Sequence, residues 1–265
     1  MTERDDLRAK GHEVLAHLQH GSNPPRPRPL YLGSIPGMDT FNAEALWGSV
    51  WARPGLDRRF RMIATIAILS SLQRLQQLRT YFNSALNIGL DAREIREIVI
   101  QCSVYAGFPT TVNSLELLRD VLEVRGIEAG PMEVDEVTVA ELDRRGGGLA
   151  EHLIDGARTE GGGDSFSRGA HDLWQVEMRY VFGELYHRPG IDLKGRVVCA
   201  IASLLAVGPE AELTRWLRGA GHAGISDDEL AELLMHGAYY AGFPAAQRAL
   251  DLASRVLGAG ADADR

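Results

Sequence analysis

Cysteine is nearly missing from this 265-residue chain, which has only Cys102 and Cys199. No Cys-x-x-Cys pair exists, so a disulfide framework, a structural zinc site and a dithiol redox centre have no support. An excess of positive charge is missing too. Lys+Arg 28 against Asp+Glu 36 leaves −8, without the electrostatic footprint of a DNA or RNA binder. No apolar run approaches the roughly 18 residues of a membrane span. The start, Met1-Thr2-Glu3-Arg4-Asp5-Asp6, is too charged to open a secretory signal. The expectation is a cytoplasmic protein with no nucleic-acid, membrane, metal or cofactor partner. No stretch alternates as a strand over a useful length, which leaves an all-α fold.

What is present is said twice. Tyr105-Ala106-Gly107-Phe108-Pro109 recurs letter for letter as Tyr240-Ala241-Gly242-Phe243-Pro244, 135 positions later (240 − 105). The same offset pairs Glu94 with Glu229, Glu97 with Glu232, Gly89 with Gly224, and Arg53-Pro54-Gly55 with Arg188-Pro189-Gly190. It needs no insertion, and it reaches back to His17-Leu18 and His152-Leu153. A tandem duplication follows, with units over 1–128 and 136–260, each long enough for a core of its own. Neither thiol is duplicated, since Cys102 corresponds to Gly237 and Cys199 to Ala64.

Within a unit the punctuation predicts the helices. Residues 5–20 form the first. The segment from Ser22 to Pro36, with Pro24-Pro25-Arg26-Pro27-Arg28-Pro29, is extended: a surface connector, or alternatively a lid or strap. Its counterpart carries Gly161-Gly162-Gly163 instead. A helix from Phe41 to Trp51 stops at Arg53-Pro54-Gly55, and Asp57 caps the next. That next helix, with Met62, Ile63, Ile66, Ala67 and Ser70, is apolar enough to be central and buried. A helix near 74–88 ends at Gly89 in a left-handed cap. Asp91-x-x-Glu94 and Ser226-x-x-Glu229 open the next helix in each unit as capping boxes. Gly107 and Gly242 stop it, and Pro109 and Pro244 sit in the first turn of the last helix.

The run Gly89-(x)4-Glu94-(x)2-Glu97-(x)3-Gln101-(x)3-Tyr105-Ala-Gly-Phe-Pro109 resembles the carboxymuconolactone decarboxylase family. Trp51-Ala-Arg-Pro-Gly-Leu-Asp57, followed by Arg59 and Arg61, belongs to the same resemblance. It implies the helical fold shared with alkylhydroperoxidase-D-type peroxidases, here in two tandem copies. It also implies an oligomer of six units, hence a homotrimer, and a small-molecule substrate. Decarboxylating members carry a histidine eight residues before the glycine matching Gly89 and Gly224. This chain has Tyr81 and Trp216 there. The peroxidase branch needs cysteines four and seven residues before that histidine. The residues here are Gln77 and Arg74, then Glu212 and Pro209, so thiol peroxidation lacks both its thiolate and its resolving partner.

The candidates are therefore uneven. Arg61 and Arg196 match a family arginine, suited either to a substrate carboxylate or to an ion pair with a nearby acid. Glu212 keeps a family carboxylate, whereas Gln77 cannot titrate. His222 and His236 have no histidine counterpart in the first unit (Asn87 and Gln101) and could relocate acid–base work to the second. Tyr81, Arg196, Glu212, His222 and His236 are the catalytic candidates. Arg61, Gln77, Glu97, Tyr105, Trp216, Glu232, Tyr239 and Tyr240 are the substrate-binding ones. Glu97 and Glu232 have the alternative of inter-helix ion pairs, Tyr105 and Tyr240 that of packed rings with bonded hydroxyls. Cys102 packs in the core.

Three functions stay open. One is a cofactor-independent enzyme on a carboxylated or enolisable lactone or ketone, its chemistry altered toward isomerisation, cyclisation or dehydration, as in specialised biosynthesis. Another is a silent ligand-binding or assembly protein. The third is a true 4-carboxymuconolactone decarboxylase of aromatic degradation. Duplication also permits one half to work while the other scaffolds.

Overall fold

Among the described residues each unit lays down six principal helices in the same order, and the 135-residue offset carries one set onto the other. The computed structural model describes residues 2–19, 37–131, 136–154 and 164–261. The proline-rich and glycine-rich connectors expected at 22–36 and 161–163 lie outside them. In the first unit α1 is Glu3–Gln19 and α2 joins Met38–Phe41 to Asn42–Trp51. α3 is Arg58–Ser71, α4 Leu75–Asn87, α5 Ala92–Gln101 and α6 Phe108–Arg125. In the second, α7 is Val139–Ile154, and α8 joins Ser165–Val176 to Glu177–Phe182. α9 is Leu193–Val207, α10 Glu210–Gly219, α11 Asp227–Ala241 and α12 Phe243–Ala261. Among the described residues there is no strand, so the fold is an all-α tandem duplication. None of these helices is long and apolar enough to cross a membrane.

The local punctuation behaves as its chemistry dictates. The Asp57 carboxylate accepts from the Arg59 N–H at 2.7 Å, and both capping boxes close in each direction. Gly107 and Gly242 take φ of 91° and 98°, open to glycine and strained for other residues, and so stop the short helix Ser103–Ala106 that follows α5, and α11 itself, at the repeated pentapeptide. The second parts of α2 and α8 wind as π-helix. Ala52 N–H donates to Trp47 O (3.0 Å) and Gly183 N–H to Met178 O (2.9 Å), five residues back in each case. This wider turn delivers Trp51 and, within the short 3-10 turn Leu185–His187 that follows α8, Tyr186 to buried positions.

The expectation of one core per unit gives way to a shared one. α3 and α9 are equivalent helices and pack against each other more extensively than any other inter-unit pair. Every residue from Arg61 to Ser71 is buried, and so is every residue from Gly195 to Leu205. A single hydrophobic cluster runs through both units. The reason lies in composition: an apolar stripe covering nearly the whole circumference of α3 cannot be satisfied by its own unit. Each unit's α5-equivalent helix then lies across the other's central helix, α11 against α3 and α5 against α9. That crossing builds the site.

Candidate active site between the two halves

Arginine is almost never fully buried unless it is paired, and Arg61 and Arg196 are both wholly buried. Each is held by a glutamate from the other unit. Arg61 Nη2 donates to Glu232 Oε2 at 2.8 Å and to the Arg53 carbonyl, and Nε donates to the Leu56 carbonyl. Arg53 Nε donates to Glu232 Oε1 at 2.7 Å. In the mirror arrangement Arg196 Nη2 donates to Glu97 Oε2 at 3.2 Å, while Arg188 holds both Glu97 oxygens at 2.9 and 2.7 Å. The glycines of the repeated Arg-Pro-Gly make room for these carboxylates. A Cβ on Gly55 would lie 2.8 Å from Glu232 Cγ, and one on Gly190 2.7 Å from Glu97 Cγ. Burial pushes the Glu232 carboxyl up, but hydrogen bonds from Arg53 and Arg61 outweigh it and hold the pKa below its ordinary value. Burial lowers the pKa of both buried arginines from theirs.

Beside each ion pair sits an aromatic nest with a conserved shape and exchanged parts. In the first composite Trp51 lies nearly parallel to Tyr81 (6.3 Å), which meets Tyr240 edge-on (5.5 Å). In the second, Tyr186 lies nearly parallel to Trp216 (5.6 Å), which meets Tyr105 edge-on (6.0 Å). Tyr240 Oη accepts from Trp51 Nε1 at 2.8 Å and bonds Tyr81 Oη at 2.7 Å. Across the molecule a single hydroxyl pair, Tyr105 with Tyr186 (2.7 Å), takes that place. Burial raises both of those phenols well above the ordinary tyrosine pKa.

The composites part company one helical turn from the glutamate. The first has His236, wholly buried, its ring 5.0 Å from Trp51 and 5.1 Å from Tyr240. His236 Nε2 bonds Thr65 Oγ1 at 2.8 Å, and Nδ1 is a buried nitrogen without a hydrogen-bond partner. Burial first, and the Arg61 charge second, lower its pKa to about 3, so the imidazole is neutral at pH 7. The second composite has Gln101, whose Oε1 accepts from Arg196 Nη1 at 2.8 Å, and Ala200 where Thr65 would be. One composite contains a neutral imidazole with one ring nitrogen unpartnered. The other does not.

Comparison with known proteins places this architecture. The carboxymuconolactone decarboxylase family model matches residues 36–120 and again 175–255, together more than half of the chain. The chain belongs to the carboxymuconolactone decarboxylase family. It is similar to the 4-carboxymuconolactone decarboxylase of Acinetobacter baylyi, 37% identical over 87 residues, which is 33% of this chain and 65% of that protein. It is also similar to the nitrosuccinic acid decarboxylase of Metarhizium robertsii, 35% identical over 80 residues, 30% of this chain and 55% of that protein. The alignments thus span less than two thirds of the length of these two curated relatives.

Against the sequence reading, the structure gathers some residues of this carboxymuconolactone decarboxylase family member and disperses others. Tyr81, Arg61, Glu232, His236 and Tyr240 meet in the first composite; Arg196, Glu97, Tyr105 and Trp216 meet in the second. Gln77 is exposed on α4. Glu212 pairs with Arg215 along the flank of α10 (2.8 Å). His222 is exposed and stacks on His152 (5.4 Å), and Tyr239 packs edge-on against the exposed Phe243 (5.1 Å). Of the two roles open to the arginines, the geometry displays the ion pair. Cys102 and Cys199 are both buried, and burial pushes the Cys102 thiol up to about 11. Among the described residues no group of three His, Cys, Asp or Glu is arranged to hold a metal. Sequence reasoning missed Thr65 and the hydrogen-bonding role of Trp51. It also missed Arg53 and Arg188 as carboxylate partners, although their repeated Arg-Pro-Gly was the available signal.

Proposed function

We propose that the first composite is the active site of an acid–base enzyme acting on a small carboxylated or enolisable lactone or ketone. Its chemistry would be altered from decarboxylation by the family's usual histidine. The observation that carries this reading is His236: a buried imidazole with one ring nitrogen unpartnered, next to a pair of bonded tyrosine hydroxyls. Two curated relatives named as decarboxylases support loss of CO2 as one reaction class.

The chemistry follows from what the groups can do. In a decarboxylation the bond to the carboxylate carbon breaks, its electron pair enters the neighbouring carbonyl as an enolate, and CO2 leaves. Carbon must then receive a proton, which the Tyr81–Tyr240 pair can supply. In an isomerisation His236 Nδ1 instead takes a proton from the carbon beside the carbonyl and returns it elsewhere. Negative charge appearing on the enolate raises the imidazole's affinity for that proton at the moment of transfer. Arg61 contributes positive potential to the enolate while its ion pair holds Glu232. A homotrimer is the assembly that goes with this proposal, to be checked by light scattering.

The test is an assay of purified protein on γ-carboxymuconolactone and a panel of β-keto acids and enolisable lactones, following CO2 and product mass. Turnover of a panel member that falls about 10²-fold or more in His236→Gln is the expected result. Turnover untouched by both His236→Gln and Tyr240→Phe would remove the composite from the chemistry.

A further inference from the structure

We propose that Thr65 is a positioning residue that fixes the tautomer of His236, keeping Nε2 protonated so that Nδ1 carries the free lone pair. Thr65 has one hydroxyl proton and two neighbours that compete for it. Its Oγ1 lies 2.9 Å from the Arg61 carbonyl, one turn back on α3, and 2.8 Å from His236 Nε2. A carbonyl oxygen can only accept. If the hydroxyl donated to the imidazole instead, two oxygens would face each other at 2.9 Å with no proton between them. The arrangement that matches a donor to an acceptor in both contacts has Thr65 donating to Arg61 O and accepting from His236 Nε2–H. A neutral imidazole with Nε2–H has its lone pair on Nδ1.

A second observation agrees independently. Duplication supplies a natural control, in which the histidine and its hydroxyl partner are absent together. Gln101 and Ala200 occupy the equivalent positions, and there the glutamine oxygen is held by Arg196. Where no imidazole needs orienting, α9 carries no hydroxyl at that place. Thr65 is wholly buried within an otherwise apolar run of α3, where alanine would fill the space without a polar group to satisfy. The tautomer rests on geometry alone; only its catalytic consequence rests on the proposed function.

Nitrogen-15 NMR of histidine-labelled full-length protein tests this, with His236→Gln identifying the signal among the eight histidines. Wild type is expected to show a pyrrole-type Nε2 and a pyridine-type Nδ1 at neutral pH. Thr65→Val, of similar shape, should give a mixed or inverted tautomer, and Thr65→Ser should restore the original. An Nδ1–H tautomer in wild type, or a Thr65→Val spectrum like that of wild type, would overturn the proposal. Activity of the same variants separates the two claims. Thr65→Val is expected to lose about tenfold or more in kcat with recovery in Thr65→Ser. A shifted tautomer with unchanged turnover would uphold the role of Thr65 toward His236 and reject the composite as the active site.

Discussion

The two composite sites share a plan and differ in tightness and in chemistry. In the one built on Glu97, the carboxylate side chain is 2% exposed and Arg188 is 17% exposed. In the one built on Glu232 the corresponding values are 11% and 47%. The tighter composite holds a glutamine tied to its arginine; the looser one holds an imidazole with a nitrogen to spare. Duplication has thus left one ion pair beside a glutamine and set the other beside an imidazole. What the difference teaches is that neither unit owns a site. Each composite takes its arginines and stacked rings from one half, and its glutamate and edge-on tyrosine from the other.

The comparison can be broken most forcefully at the tighter composite. Glu97→Ala strands the buried Arg196 and the partly buried Arg188 and is expected to cost about 3–5 kcal/mol in denaturant unfolding. Glu232→Ala should cost less because water reaches Arg53. Equal losses would erase the distinction in tightness. Next in size is Gly190→Ala, where the new methyl meets Glu97 and the backbone φ of 120° is already hostile to a side chain. A loss of about 2–4 kcal/mol is expected, against about 1–3 for Gly55→Ala, whose φ is not in that region.

Acid sharpens the contrast further. His236 is neutral when folded down to about pH 3, whereas the unfolded chain protonates it near its ordinary value of 6.5. Between those values the unfolded state binds the extra proton, so stability falls as pH falls, by up to about 1.4 kcal/mol per pH unit. His236→Gln should flatten that slope between about pH 6.5 and 4.5. Below about 4.5, protonation of Glu232 adds a loss common to both proteins, because its carboxyl is depressed in the fold. An unchanged slope between the two would mean that the imidazole is not buried neutral. The smallest effect is expected of Tyr81→Phe, which removes one hydroxyl bond while Tyr240 keeps Trp51, for about 0.5–1.5 kcal/mol.

Much of the fold is legible in the sequence because its signals are local. Capping boxes, the Asp57 cap, the glycine stops and the apolar saturation of α3 each act within a turn or two. The candidate site is legible only in part. A 135-residue offset reveals which residues are equivalent, but not which ones touch. Arg61 meets Glu232 at a separation of 171, and Arg196 meets Glu97 at 99, both 36 residues away from the repeat spacing. That exchange is a property of how α3 and α9 pack, and no single unit encodes it. Thr65 escaped notice for a related reason, since a threonine inside an apolar helix reads as core filler until its partner arrives from the other half. Glu212 and Gln77 were drawn in by their register with family positions, and His222 as a histidine without a counterpart in the first unit, but Gln77 and His222 are exposed and Glu212 pairs along its own helix with Arg215.

The central claim is that chemistry occurs only where the imidazole stands. Initial rates of His236→Gln and Gln101→Met, measured side by side on one turned-over substrate, test it most directly. The account predicts a loss of about 10²-fold or more in the first and a rate within about twofold of wild type in the second. Loss of activity in Gln101→Met with retention in His236→Gln would contradict it.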